Sequence, residues 1–202
     1  MNRTDPRDVL DVLRTDDADA MSRLHARLER AAEQADLLDV GYRTLDTPLG
    51  TLLLAATPVG LVRVAYASEG HDAVLAALAN KVSPRILHAP ARLDGAAREL
   101  DEYFTGTRTH FDLPLDLRLT DGFRREVIEH LREIGYGHRE SYAAVAAAIG
   151  RPRAVRAVGT ACARNPLPLV IPCHRVVRTD GAIGQYVGGV EAKQTLLTLE
   201  AA

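Results

Sequence analysis

The chain has 202 residues, is 47% hydrophobic and 26% charged, and carries a net charge of −2. That length can bury a sizeable core in one large or two small domains, and that composition excludes global disorder. No run of 18 apolar residues and no basic, apolar leader occurs, so a membrane span and a secretory signal are set aside and a cytoplasmic protein with reduced thiols is expected.

The charge is unevenly spread. Residues 1–40 hold 6 Arg against 10 Asp and Glu, whereas residues 120–181 hold 10 Arg against 6 acids. A polyanion would therefore meet the C-terminal half, unless the arginines are only a solvated face. Cys162 and Cys173 cannot form a four-thiolate zinc site, and no metal or cofactor is expected.

In chain order, Val9, Leu10 and Leu13, then Met21, Leu24 and Leu28, then Ala31, Ala35 and Leu38 recur at helical spacing. They predict two short helices parted near Thr15–Asp19, an acidic helical extension over residues 1–40. From Gly41 the period changes. GYRTLDTPLG, TLLLAAT and LVRVAYAS are strand-like runs broken at Pro48–Gly50 and Pro58–Gly60, which predicts a small antiparallel sheet. His71–Val82 and Asp94–Phe104 read as helices, and THFDLPLDL as a further edge strand with Pro114 inside it. Residues 41–118 form a small α/β scaffold domain in this reading.

Residues 119–202 return to helical spacing. TDGFRREVIEHLREI places Phe123, Val127, Leu131 and Ile134 on one face, with Thr120 or Asp121 as its cap. SYAAVAAAIG, capped by Ser141, and RAVRAVGTACA are two short helices joined by a turn at Arg151–Pro152. Such a pair is either a packed hairpin or a helix-turn-helix entering DNA. Arg151, Arg153 and Arg156 near the start of the second helix suit phosphates, and its alanines permit close approach to another surface. Taken alone, Cys173 in LVIPCHRVV could be a buried small hydrophobe and His174 a satisfied histidine.

The ordered set SYAAVAAAIG, RAVRAVG, NPLPLVIPCHRVV and GAIGQYVGG, followed by Lys193 and Leu199–Glu200, resembles the O6-alkylguanine-DNA alkyltransferases, or methylated-DNA–protein-cysteine methyltransferases. The resemblance runs from about residue 41 to the C-terminus. It implies an α+β fold, with a small N-terminal antiparallel-sheet domain and a helical C-terminal domain containing the helix-turn-helix. It further implies irreversible transfer of a methyl or other alkyl group from O6 of guanine to Cys173, with no cofactor. The partner is double-stranded DNA containing O6-alkylguanine, and the protein is expected to act as a monomer.

In the roles so implied, His174 is the base acting through water, Glu200 orients it, and Tyr142 protonates the leaving guanine. Arg156 is a finger that fills the gap left by the flipped base, with Arg151, Arg153, Tyr142, Asn165 and Arg175 also on the DNA side. Asn165 ties the turn after the recognition helix to an active-site strand. Val176, Tyr186, Val187 and Gly188 form the substrate pocket, Val187 standing where some relatives carry serine. The alternative function is a non-enzymatic lesion-binding or regulatory protein, which needs no activated cysteine. A cysteine hydrolase is a third reading.

Overall fold

The computed structural model describes the backbone of residues 6–201 and the side chains of residues 20–201. Three strands, β1 (Val40–Thr47), β2 (Gly50–Thr57) and β3 (Gly60–Tyr66), form an antiparallel meander, and β4 (Ile86–His88) pairs parallel with β1, giving the order β3-β2-β1-β4. The Pro48–Gly50 and Pro58–Gly60 turns fall where the sequence puts them. Gly50 and Gly60 both have positive φ, the backbone that glycine takes without strain.

The apolar run in β2 is continuous because both faces of the sheet are covered. Leu53, Ala55, Val62 and Ala65 pack with Val74 and Leu78 of α2 (His71–Lys81). Leu52, Leu54, Leu61, Val64 and Tyr66 face the other way, against Leu93, Ala96, Leu100 and Tyr103 around α3 (Asp94–Phe104). A register shift at Ala55/Ala56 keeps Leu61 and Val64 on one face despite their odd spacing.

The same core continues without interruption into the C-terminal lobe, through Val127, Ile128 and Leu131 of α4 (Gly122–Leu131), Val145 of α5 (Tyr142–Ala148) and Val158 of α6 (Val155–Ala163). α5 begins on Ser141, whose Oγ accepts from Ala144 N at 3.0 Å, as a capping serine should. β5 (Glu140–Ser141) and β6 (Val176–Val177) pair parallel, and α7 (Gly189–Leu199) closes the chain.

Four local expectations need correction. The backbone of residues 6–34 is one helix, α1 (Pro6–Gln34), not two; Thr15–Asp19 holds no glycine or proline to break it. On its described part Leu24 and Leu28 are exposed, while His25 donates to His88 O and Arg92 of the sheet lobe pairs with Glu33. The sheet is mixed rather than antiparallel, since the short β4 follows Pro84 and carries too few residues to show alternation. THFDLPLDL is not a strand, although Pro114 O accepts from Leu61 N and a single bridge joins Leu115 to Leu61 at the sheet edge. Asp121 occupies the cap position of α4 without a capping bond and instead pairs with Arg124.

Candidate active site

Asn165 and Pro166 leave the end of α6, and the chain doubles back through Leu169, whose φ of 74° is unusual for a residue with a side chain. That reversal brings Asn165 over the returning segment. Its Nδ2 donates to Ile171 O at 2.8 Å and to Cys173 Sγ at 3.2 Å, and its Oδ1 accepts from Leu167 N at 3.0 Å. Both polar atoms of the amide, through three hydrogen bonds, thus fix the loop around the sulfur.

Cys173, His174 and Arg175 form a tight helical turn and not the strand that was expected. The turn lets adjacent residues reach one cluster. His174 Nε2 lies 2.8 Å from Glu200 Oε1, both side chains being essentially without solvent contact. Three further groups hold Glu200: Tyr103 donates to Oε1 at 2.7 Å, Arg175 donates to both oxygens at 2.8 and 2.9 Å, and Gly137 N reaches Oε2 at 3.3 Å. Burial alone would raise the Glu200 pKa, but the bonds from His174 and Arg175 hold it well below the carboxylate range. Glu200 is therefore ionised, so Nε2 of His174 is the protonated nitrogen. Burial pushes the imidazolium form of His174 down, leaving Nδ1 as the free base, and Nδ1 is buried with no hydrogen-bond partner among the described residues.

Burial pushes the Cys173 thiol up to about 11, against the Asn165 hydrogen bond and the charge of Lys193, which both favour the thiolate. Lys193, fully buried on α7, donates from Nζ to Val176 O at 2.6 Å and lies 5.9 Å over the ring of Tyr142. Tyr142, the first residue of α5, is half-buried, and burial raises its phenol to about 12, so it is a proton donor at neutral pH. Tyr186 packs edge-on to His174 with centroids 6.3 Å apart, and Val187 and Gly188 follow it on the same half-buried loop.

Cys173, His174, Glu200, Tyr142, Val176, Tyr186, Val187 and Gly188 thus fall around one centre. Arg151, Arg153 and Arg156 form a separate exposed group at the turn and start of α6; Arg151 pairs with Glu126, and Arg156 has no ion-pair partner among the described residues. Two residues expected on the DNA side are buried: Arg175 is spent on Glu200 and on Ile134 O, and Asn165 lies under the sulfur. Lys193 and Tyr103 had no assigned role from sequence. A lysine between Ala192 and Leu196 on the inner face of α7 was the available signal for the first; nothing local marked Tyr103, which reaches Glu200 across 97 positions.

Two family models match consecutive parts of the chain: the 6-O-methylguanine DNA methyltransferase ribonuclease-like domain over residues 40–117 and the DNA binding domain of the same family over residues 122–202. The methylated-DNA–protein-cysteine methyltransferases of Mycolicibacterium paratuberculosis and Mycobacterium bovis are 38% identical over 161 residues and 40% over 167, each alignment covering 80% of this chain and 92% of the relative. The chain belongs to this family. A crystal structure of Mycobacterium tuberculosis OGT in complex with DNA superposes with a TM-score of 0.69 at 36% identity, over 80% of this chain and 92% of that one. Within the methyltransferase family, the α+β architecture and the α5–α6 helix-turn-helix are accordingly this protein's fold. Among the described residues no helix is long and apolar enough to cross a membrane.

Proposed function

We propose that this chain is a single-turnover DNA repair protein that removes a methyl or other alkyl group from O6 of guanine and keeps it on Cys173. The observation that carries this reading is the buried Cys173 beside an imidazole whose Nε2 is locked to an ionised Glu200 and whose Nδ1 is free. In the reaction, Cys173 Sγ attacks the alkyl carbon in line with the O6–carbon bond. The S–C bond forms as the C–O bond breaks. The thiol proton passes through one water to His174 Nδ1, and the leaving guanine, gaining electron density, takes a proton from the Tyr142 hydroxyl. The product is a neutral thioether, a poor leaving group, so the protein is consumed.

Asn165 and Lys193 favour the developing thiolate over the thiol, lowering the cost of activation in a site that otherwise opposes charge. Arg175 and Tyr103 keep Glu200 ionised and aimed. DNA is the partner, and its damaged, O6-alkylated form is the substrate. Arg156, exposed at the start of the recognition helix, is the finger that holds the base out of the stack, with Arg151 and Arg153 on flanking phosphates. The protein acts as a monomer in the cytoplasm, with residues 1–40 an extension, 41–118 a supporting lobe and 119–202 the catalytic lobe. The alternative of a lesion-binding protein without chemistry leaves the Cys173–His174–Glu200 cluster without a use.

Digestion of a duplex containing O6-methylguanine to nucleosides, after incubation with increasing protein, tests the reading. Loss of one O6-methylguanine and gain of one guanine per protein molecule is expected. Catalytic turnover, or retention of the lesion in a stable complex, would reject it.

A further inference from the structure

The pocket loop lies between Gly181 and Gly189, both with positive φ, and is gripped by tyrosines from opposite lobes. A side chain at Gly184 would meet the Tyr142 hydroxyl at 2.7 Å. Gly188 has φ of −82°, a backbone open to any residue, yet a Cβ there would stand 2.6 Å from Cε1 and Cζ of Tyr66. It is the Tyr66 ring, and not the backbone, that demands glycine at 188.

Tyr66 ends β3 of the supporting lobe and is buried. Its amide donates to Glu69 at 3.0 Å; Glu69 is paired with Arg63, and Arg63 donates to Pro166 O at 3.2 Å, next to Asn165. Val64 N also donates to Pro166 O, at 2.9 Å. The end of β3 is thereby fixed to the loop that carries the reactive cysteine. The Tyr66 hydroxyl bonds the Tyr186 hydroxyl at 3.1 Å, the rings edge-on at 5.8 Å. Tyr186 is thus wedged between His174 and Tyr66 and cannot recede toward the supporting lobe.

We propose that Tyr66 limits the size of the alkyl group that the site accepts, as a positioning residue that holds Tyr186 and Gly188 close to Cys173. The inference rests on the alkyltransferase reading above. A methyl group needs almost no room beyond the attacking sulfur, whereas a benzyl group needs the space of a ring. Removing the Tyr66 ring frees the face of Gly188 and the back of Tyr186 together, so the gain falls to the larger group.

The test uses full-length protein and duplexes carrying O6-methylguanine or O6-benzylguanine, with transfer rates compared for wild type, Tyr66→Leu and Tyr66→Met. The benzyl-to-methyl ratio should rise about tenfold in Tyr66→Leu, the lower end of what one apolar pocket change supplies, and less in Tyr66→Met. The ratio cancels any loss of folded protein or of thiol activation common to both substrates, and Tyr66→Met carries the measurement if the leucine variant does not fold. An unchanged or lower ratio overturns the proposal. Gly188→Ala should slow both substrates in the wild-type background, and adding Tyr66→Leu should restore them; losses that simply add would contradict the contact. Wild type that transfers neither group would reject the alkyltransferase reading itself.

Discussion

Cys162 and Cys173 sit in neighbouring regions of one core and look alike by the usual measures: both are free, both are buried, and burial pushes both thiols up. Their surroundings differ. Cys162 lies on the inner face of α6. Cys173 receives the Asn165 amide and is followed directly by the imidazole that Glu200 orients. Burial is therefore not activation, and a raised thiol pKa is not inertness. In the proposed reading, what separates the two regions is a route for the proton through an imidazole that burial keeps neutral and that an ionised carboxylate orients.

Glu200→Gln should collapse that difference most completely, making Cys173 as unreactive as Cys162. The amide leaves Arg175 buried without its counter-charge, at a cost on the order of 3–5 kcal/mol in stability. Methyl transfer should fall about 100-fold or more in the protein that remains folded, through loss of base orientation. Denaturant unfolding and single-turnover kinetics measure the two effects separately; near-normal transfer would show that the cysteine needs no oriented base.

Arg156→Ala sharpens the comparison from the other side, because it leaves the chemistry at Cys173 intact and removes delivery of the base. Repair in a duplex should drop roughly 10- to 100-fold, the weight of a flipping cost of a few kcal/mol. Reaction with the free O6-alkylguanine base should hardly change. Equal losses with both substrates would place Arg156 in the fold or in the chemistry rather than at the DNA.

A smaller effect follows from pH. The pKa of His174 is lowered from 6.5 and that of Glu200 from 4.5, so the unfolded chain binds protons that the folded chain refuses. Stability from both groups is fully present above 6.5, declines as pH falls below it, and declines further below 4.5. Tm should fall by roughly 2–4 °C between about pH 7 and 5, the shift made by about 1 kcal/mol in a protein of this size, and by less in His174→Gln. A flat wild-type profile would mean that His174 takes up its proton as readily in the folded chain as in the unfolded one.

Much of this was legible in the sequence because local chemistry wrote it there. Proline and glycine marked both sheet turns, Ser141 marked the start of α5, and Cys173, His174 and Glu200 stood in an ordered motif. What escaped is long-range. Arg175 reads as a surface cation until Glu200, 25 positions away, turns it inward, and Asn165 reads as a hinge until the reversal at Leu169 puts it on the sulfur. Tyr66 and Tyr103 come from the lobe expected to be only scaffold, and no periodicity distinguishes them from other core aromatics. The single helix over residues 6–34 was missed for the opposite reason: weak local propensity at Thr15–Asp19 is not a break.

Intact-protein mass after mixing with duplex DNA containing O6-methylguanine addresses the contrast between the two cysteines most directly. Wild type and Cys162→Ala should each gain one methyl group, mapped by peptide analysis to Cys173, and Cys173→Ala should gain none. Methyl on Cys162, or an unchanged mass in wild type while the lesion disappears, would contradict the assignment of Cys173 as the acceptor.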